Sequence, residues 1–110
     1  MLAKFPLPYF AVIFTSLRKN DDPQYGITND ELESLAKDIP GFLGTESVRE
    51  GAMGLGISVS YWQTMQAIET WRTHTHHRMA KEKGIKNWYK FYSIRICEVE
   101  QDNFFEVEEN

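Results

Sequence analysis

Residues Tyr9 to Arg18 read YFAVIFTSLR, and both alternating sets are apolar: Tyr9, Ala11 and Ile13 on one, Phe10, Val12 and Phe14 on the other. A strand of this kind has to be covered on both faces. The same demand returns near the end of the chain, where a strand is expected over Tyr89 to Glu100. Phe91, Ser93, Arg95, Cys97 and Val99 form one of its sets, and Tyr92, Ile94 and Ile96 the other. A sheet with helices on a single face leaves one of those surfaces bare.

Between these strands the signals alternate in type. Asn20 to Gly26 (NDDPQYG) carries Asp-Asp-Pro and a glycine and reads as a loop. Thr28 and Glu31 have capping-box spacing, which predicts a helix from Thr28 to about Ile39, stopped by Pro40-Gly41. Leu32, Leu35, Ala36 and Ile39 form its apolar stripe. Leu43 to Glu50 alternates weakly, as a more exposed strand does, and Gly51 to Gly54 is the turn of a hairpin. Leu55 to Trp62 then alternates large residues with the small set Gly56, Ser58 and Ser60. Small side chains on a sheet face leave room above it, for a ligand or for close packing. Thr64 predicts a helix start, with Ala67, Ile68 and Trp71 inward, ending near Arg72. Thr75 suggests a further helical stretch over 76–83, stopped by Gly84.

The order β-α-β-β-α-β is a ferredoxin-like α+β plan with an antiparallel sheet. It spans one domain over residues 1–110, with a core from about 9 to 105. A second copy of the chain is the simplest cover for the bare sheet face, so we expect a homodimer closing into an α/β barrel. An uncovered apolar sheet would aggregate.

With one cysteine, Cys97, no internal disulfide can form. No stretch has the form of a secretory signal or is long enough to cross a bilayer, so a cytoplasmic location is expected, with no membrane partner. The formal charge of -4 argues against nucleic acid, whose binding rests on phosphate neutralisation. Charge is uneven, since Arg72 to Lys90 is rich in Arg and Lys. That stretch reads as an ordinary solvated helix face or, beside aromatics, as an attractor for an anionic aromatic ligand.

Aromatic residues make up 14% of the chain, and the elements direct all three tryptophans toward one region. Trp62, Tyr61, Trp71 and Trp88 are therefore candidate walls of a pocket for a flat apolar molecule. Aromatics at helical spacing also read as plain core. His74 and His77 titrate near neutrality and are candidate bases, with His76 turned to solvent. Their i, i+3 spacing would suit a metal, yet no carboxylate or cysteine stands at supporting spacing, and no metal is expected. Tyr92 is a candidate donor to a substrate oxygen.

The strand end Ser60-Tyr61-Trp62, the helix segment Gln66 to Trp71, His74 with His77-Arg78, the Pro40-Gly41-Phe42 stop and the closing strand Trp88 to Phe104 together resemble the antibiotic biosynthesis monooxygenase superfamily of dimeric α+β barrels. The resemblance covers about Tyr9 to Phe105. It implies an oxygenase acting on a small aromatic or quinol-like substrate with dioxygen, without metal or flavin. His77 or His74 would be the base, Tyr92 the orienting donor, and Trp71 and Trp62 the walls. A non-enzymatic binder of a small hydrophobic molecule and a haem-degrading monooxygenase are the alternatives. The superfamily's haem-degrading branch pairs a strand asparagine, a helical tryptophan and a ligating histidine. Trp71 matches the tryptophan, whereas Ile13 and Lys81 stand at the other two places.

Overall fold

The computed structural model describes residues 5–81 and 87–108, and within 76–81 the helical backbone alone. Six elements follow the expected order: β1 (Tyr9–Arg18), α1 (Pro23–Lys37), β2 (Phe42–Arg49), β3 (Leu55–Trp62), α2 (Met65–Lys81) and β4 (Tyr89–Val99). The strands form one antiparallel sheet in the order β2-β3-β1-β4, so the doubly apolar β1 lies inside and its partners flank it. This is the ferredoxin-like α+β fold.

Both helices cover the sheet face that carries Phe10, Val12 and Phe14. The core gathers Val12 with Ala36 and Ile39 from the end of α1 and with Trp62, Ala67 and Ile68. Trp62 and Ile68 are fully buried. Gly41, at φ 97°, makes the turn out of the first helix, and a side chain there would press on Ala67 Cβ at 3.0 Å. The opposite sheet face is not covered by any described residue of the chain over much of its area. Leu55, Ile57, Val48 and Phe91 are exposed there, along with Cys97.

Helix starts depart from the sequence reading. The Asn20–Gly26 segment is not a loop throughout. Helix α1 begins at Pro23, and Asp22 is the cap, its side chain accepting from Gln24 N at 2.9 Å. Proline at the first helical position needs no backbone donor, so the residue that resembles a breaker opens the helix. Thr28 is instead a buried interior residue bonded by Gln24 Nε2 at 3.4 Å. The second helix does start under Thr64, whose Oγ1 accepts from Ala67 N at 3.1 Å. It then runs unbroken to Lys81 rather than ending near Arg72. Its threonines do not interrupt it, because Thr70 Oγ1 and Thr73 Oγ1 donate back to the carbonyls of Gln66 and Glu69 at 3.1 and 3.0 Å. The expected stop at Gly84 lies outside the described residues.

Candidate functional site

Register decides what lies under the helices. Phe10 faces Trp62, Val12 faces Ser60, Phe14 faces Ser58 and Ser16 faces Gly56. The small set of β3 is therefore on the helix face, in the middle of the sheet. It floors a cleft of about 930 Å³ between the helices and the sheet. Both helices contribute to its walls, α1 through Tyr25, Thr28 and Leu32, and α2 through Trp71 and Thr75.

The cleft has two chemically distinct ends. Trp62 and Gly56 are six residues apart on one strand, which sets the ends about 20 Å from each other at the usual rise per residue. At the first end Trp62 stacks against Trp71, with ring centroids 5.4 Å apart, and against Phe42 at 5.1 Å. Trp62 Nε1 donates to Ser60 Oγ at 2.8 Å, so its polar edge is satisfied within the floor. Trp71 Nε1 and, one turn on, Thr75 Oγ1 are buried and have no partner among the described residues. Buried donors without partners are uncommon, and these two belong to residues that line the cleft.

At the second end stand Arg49, Tyr25, Tyr89, Tyr92 and Trp88. Arg49 lies flat on the sheet over Gly56, where a methyl group in place of the glycine hydrogen would sit 2.5 Å from Arg49 Cζ. Its Nη1 donates to Gly54 O at 2.8 Å and Ser16 O at 3.3 Å, and its Nη2 to Ser16 Oγ at 2.8 Å and Tyr25 OH at 3.4 Å. Behind it Arg18 is buried, with Cζ 3.8 Å from the centroid of the Tyr25 ring. Burial raises the Tyr89 hydroxyl well above the ordinary tyrosine range. A hydrogen bond with Tyr25 adds to the shift, while the two arginines oppose it. Trp88 is buried and donates to Asp22 Oδ2 at 3.2 Å, which ties the start of β4 to the cap of α1.

The sequence-derived candidates thus divide. Trp62 and Trp71 meet at the first end; Trp88 and Tyr92 lie at the second, where Tyr92 packs on Phe14 at 5.5 Å. Tyr61 is on the opposite face of the sheet, because its neighbours Ser60 and Trp62 point to the helices. There it packs against Tyr9 and Phe5, and its hydroxyl donates to Glu46 Oε1 at 2.7 Å. His74 is exposed and is not among the residues that line the cleft. The side chain of His77 lies outside the described residues.

Of the residues a haem would call on, Lys81 at the histidine's place and His77 one turn before it have side chains outside the described residues, and His74 is exposed outside the cleft lining. Ile13, at the asparagine's place, is apolar and on the other face of the sheet. Among the described residues no cluster of three His, Cys, Asp or Glu could hold a metal.

Arg49 and Tyr25 escaped sequence reasoning. Arg49 sits in the weakly alternating β2, and only its pairing with Gly56 brings the guanidinium over the floor. The signal that could have found it is a basic residue on a strand hairpinned to one that begins with small residues.

Comparison with known proteins gives a consistent lineage. Residues 9–83 match the family described as antibiotic biosynthesis monooxygenase. YqjZ of Bacillus subtilis (strain 168), described as uncharacterized, is 51% identical over 110 residues, covering 99% of this chain and 96% of its own. Jasmonate monooxygenase ABM of Pyricularia oryzae is 31% identical over 94 residues, covering 82% of this chain, which spans only 43% of that protein's length. Among solved structures, a point mutant of SnoaB, a cofactor-independent oxygenase from Streptomyces nogalater, superposes with a TM-score of 0.68 at 8% identity, over 86% of this chain and 95% of its own. At that identity the last likeness speaks for the fold alone. The strand order, the matched residues and the identity to these relatives agree: this chain belongs to the antibiotic biosynthesis monooxygenase family.

Proposed function

We propose that the protein is a cofactor-independent monooxygenase that oxidises a small aromatic, quinol-like substrate in the cleft between its helices and sheet. The observation that carries this reading is the first end of the cleft. A floor without bulk lies beside paired indoles, and two buried polar atoms there, Trp71 Nε1 and Thr75 Oγ1, lack partners among the described residues. A flat ring fits between such surfaces, and a substrate oxygen would satisfy the two donors. The name of one relative, a jasmonate monooxygenase, points to the same class of reaction.

The chemistry needs little from the protein. Removal of a proton from an electron-rich substrate leaves a carbanion or phenolate that gives its electrons to dioxygen. One oxygen atom enters the product as a new carbonyl and the other leaves as water, so the substrate itself is the reductant. The cleft excludes bulk water and offers donors to the developing oxyanion. His77 of α2 takes the proton, since His74 is exposed outside the cleft lining, and Tyr92 offers its hydroxyl at the second end to a substrate long enough to reach it. Tyr61, which faces away from the cleft, has no part in this reading. The bare sheet face pairs with a second copy of the chain, so the working unit is a homodimer.

Incubating the metal-free protein with hydroquinones or anthrones under oxygen tests the reading. Oxygen uptake is expected, with rates lowered at least about a hundredfold in the His74→Ala/His77→Ala double variant. Uptake no faster than in that variant would overturn it.

A further inference from the structure

The second end of the cleft holds a cation with no counter-charge among the described residues. The ion pair formed among the described residues is Arg72 with Glu69, on the surface of α2. Arg18 has Asp22 as an electrostatic neighbour, and Asp22 is held below the ordinary carboxylate range in part by it. Arg49 has no carboxylate partner among the described residues. All four of its hydrogen-bond acceptors are neutral oxygens. A half-buried guanidinium that meets only neutral acceptors leaves most of its charge unanswered.

Its surroundings hold it in one pose. The two bonds at 2.8 Å, to Gly54 O and Ser16 Oγ, fix the plane of the fork, and the missing side chain of Gly56 makes the space in which it lies. The 3.4 Å bond to Tyr25 OH is long for an N–H donor, so an incoming carboxylate would replace it at little cost. Nε–H has no partner among the described residues. Nε and Nη2 share one edge of the guanidinium, the edge that binds a carboxylate through two parallel bonds.

We propose that the cleft is built for an amphipathic monoanion: its carboxylate is held by Arg49 beneath Tyr25, and its apolar body lies over Ser58 and Ser60 toward Trp62 and Trp71. This specifies the substrate class of the oxygenase reading and rests on it for turnover, but not for binding. Neither end explains the cleft alone. A neutral flat ring would use the indole end and leave the cation unanswered. An inorganic anion would use Arg49 and leave the indoles bare.

The test compares 4-(1-naphthyl)butyrate with its primary amide, which has the same body and no charge. Affinities of the full-length protein for both are measured by titration calorimetry. The acid is expected to bind at least about tenfold tighter than the amide, and the preference should shrink with added salt. Arg49→Gln should remove the preference by weakening the acid alone. Arg49→Lys should retain part of it, as a charge without the fork. Gly56→Ala should reduce it by displacing the guanidinium from the floor. The acid-to-amide ratio does not depend on the fraction of protein that is folded, so a merely structural role for Arg49 would leave it unchanged. Equal affinities in the wild type, a preference that survives in Arg49→Gln, or binding of neither probe would overturn the proposal. Oxygen uptake is scored separately. Selective acid binding without turnover of any quinol refutes the oxygenase reading and keeps the anion site. Turnover of neutral quinols with no acid preference does the reverse.

Discussion

Tyr61 illustrates how one residue's alternation parity fixes its chemistry. A one-residue slip of β3 would aim it at the helices and turn Trp62 away from them. Instead it enters a small aromatic group with Tyr9 and Phe5 on the other face, where Tyr9 also finds a carboxylate, Asp102, at 2.9 Å. Burial pushes the Tyr61 hydroxyl up to about 12 from 10.0, helped by its bond to Glu46. The folded state therefore favours the protonated phenol. This contribution to stability is complete below pH 10.0 and is lost as the pH rises through about 12. Alkaline titration followed by tyrosinate absorbance should show a late step near that value in the wild type that is missing in Tyr61→Phe. An unchanged titration curve would contradict the assignment. The three tryptophans that line the cleft were visible in the sequence because indoles are rare, whereas Tyr25 was not singled out and Tyr61 was assigned to the wrong face. Arg49 was not visible either, because its position depends on a partner strand's register, which is set by the turn and not by residues near it.

At the scale of elements, Asp22 does two jobs. It caps α1 through Gln24 N and receives the indole N–H of Trp88 from the start of β4. Both bonds favour the carboxylate and lower its pKa from 3.8, the cap bond first and the Trp88 bond second. A depressed acid stabilises the fold above its unfolded pKa and stops doing so as the pH falls through the lower folded value. Thermal melts should therefore find Asp22→Asn less stable than the wild type at neutral pH. The gap should close at acid pH below 3.8, and a gap independent of pH would rule the charge out. The strands and their order were legible in the sequence because apolar alternation and glycine turns are local signals. The helix limits were not. A capping box at Thr28 and a proline at residue 23 send a reader to the wrong start, since the competing cap at Asp22 is recognisable only once Trp88 is seen to close on it. The threonines of α2 resemble interruptions until their hydroxyls are found bonded to the carbonyls one turn back.

For the molecule as a whole, the uneven cover of the sheet matters most. Helices shield one face, while Ile13 on β1, Leu55 and Ile57 on β3 and Phe91 on β4 lie on the other. A homodimer through that face should sediment at twice the chain mass. Ile13→Lys should shift it to monomer or lower its solubility, and a wild type that remains monomeric at high micromolar concentration would exclude the pairing. Among the described residues no helix is long and apolar enough to cross a membrane. The floor of the cleft has a further consequence. Ser58 is held in the sheet through its main chain, between Phe14 and Ser47, so exchanging it for a residue of different bulk alters the depth of the trough without breaking the ladder beneath it. Selection can thus retune which molecules are admitted by single steps, while the architecture that surrounds them stays as it is.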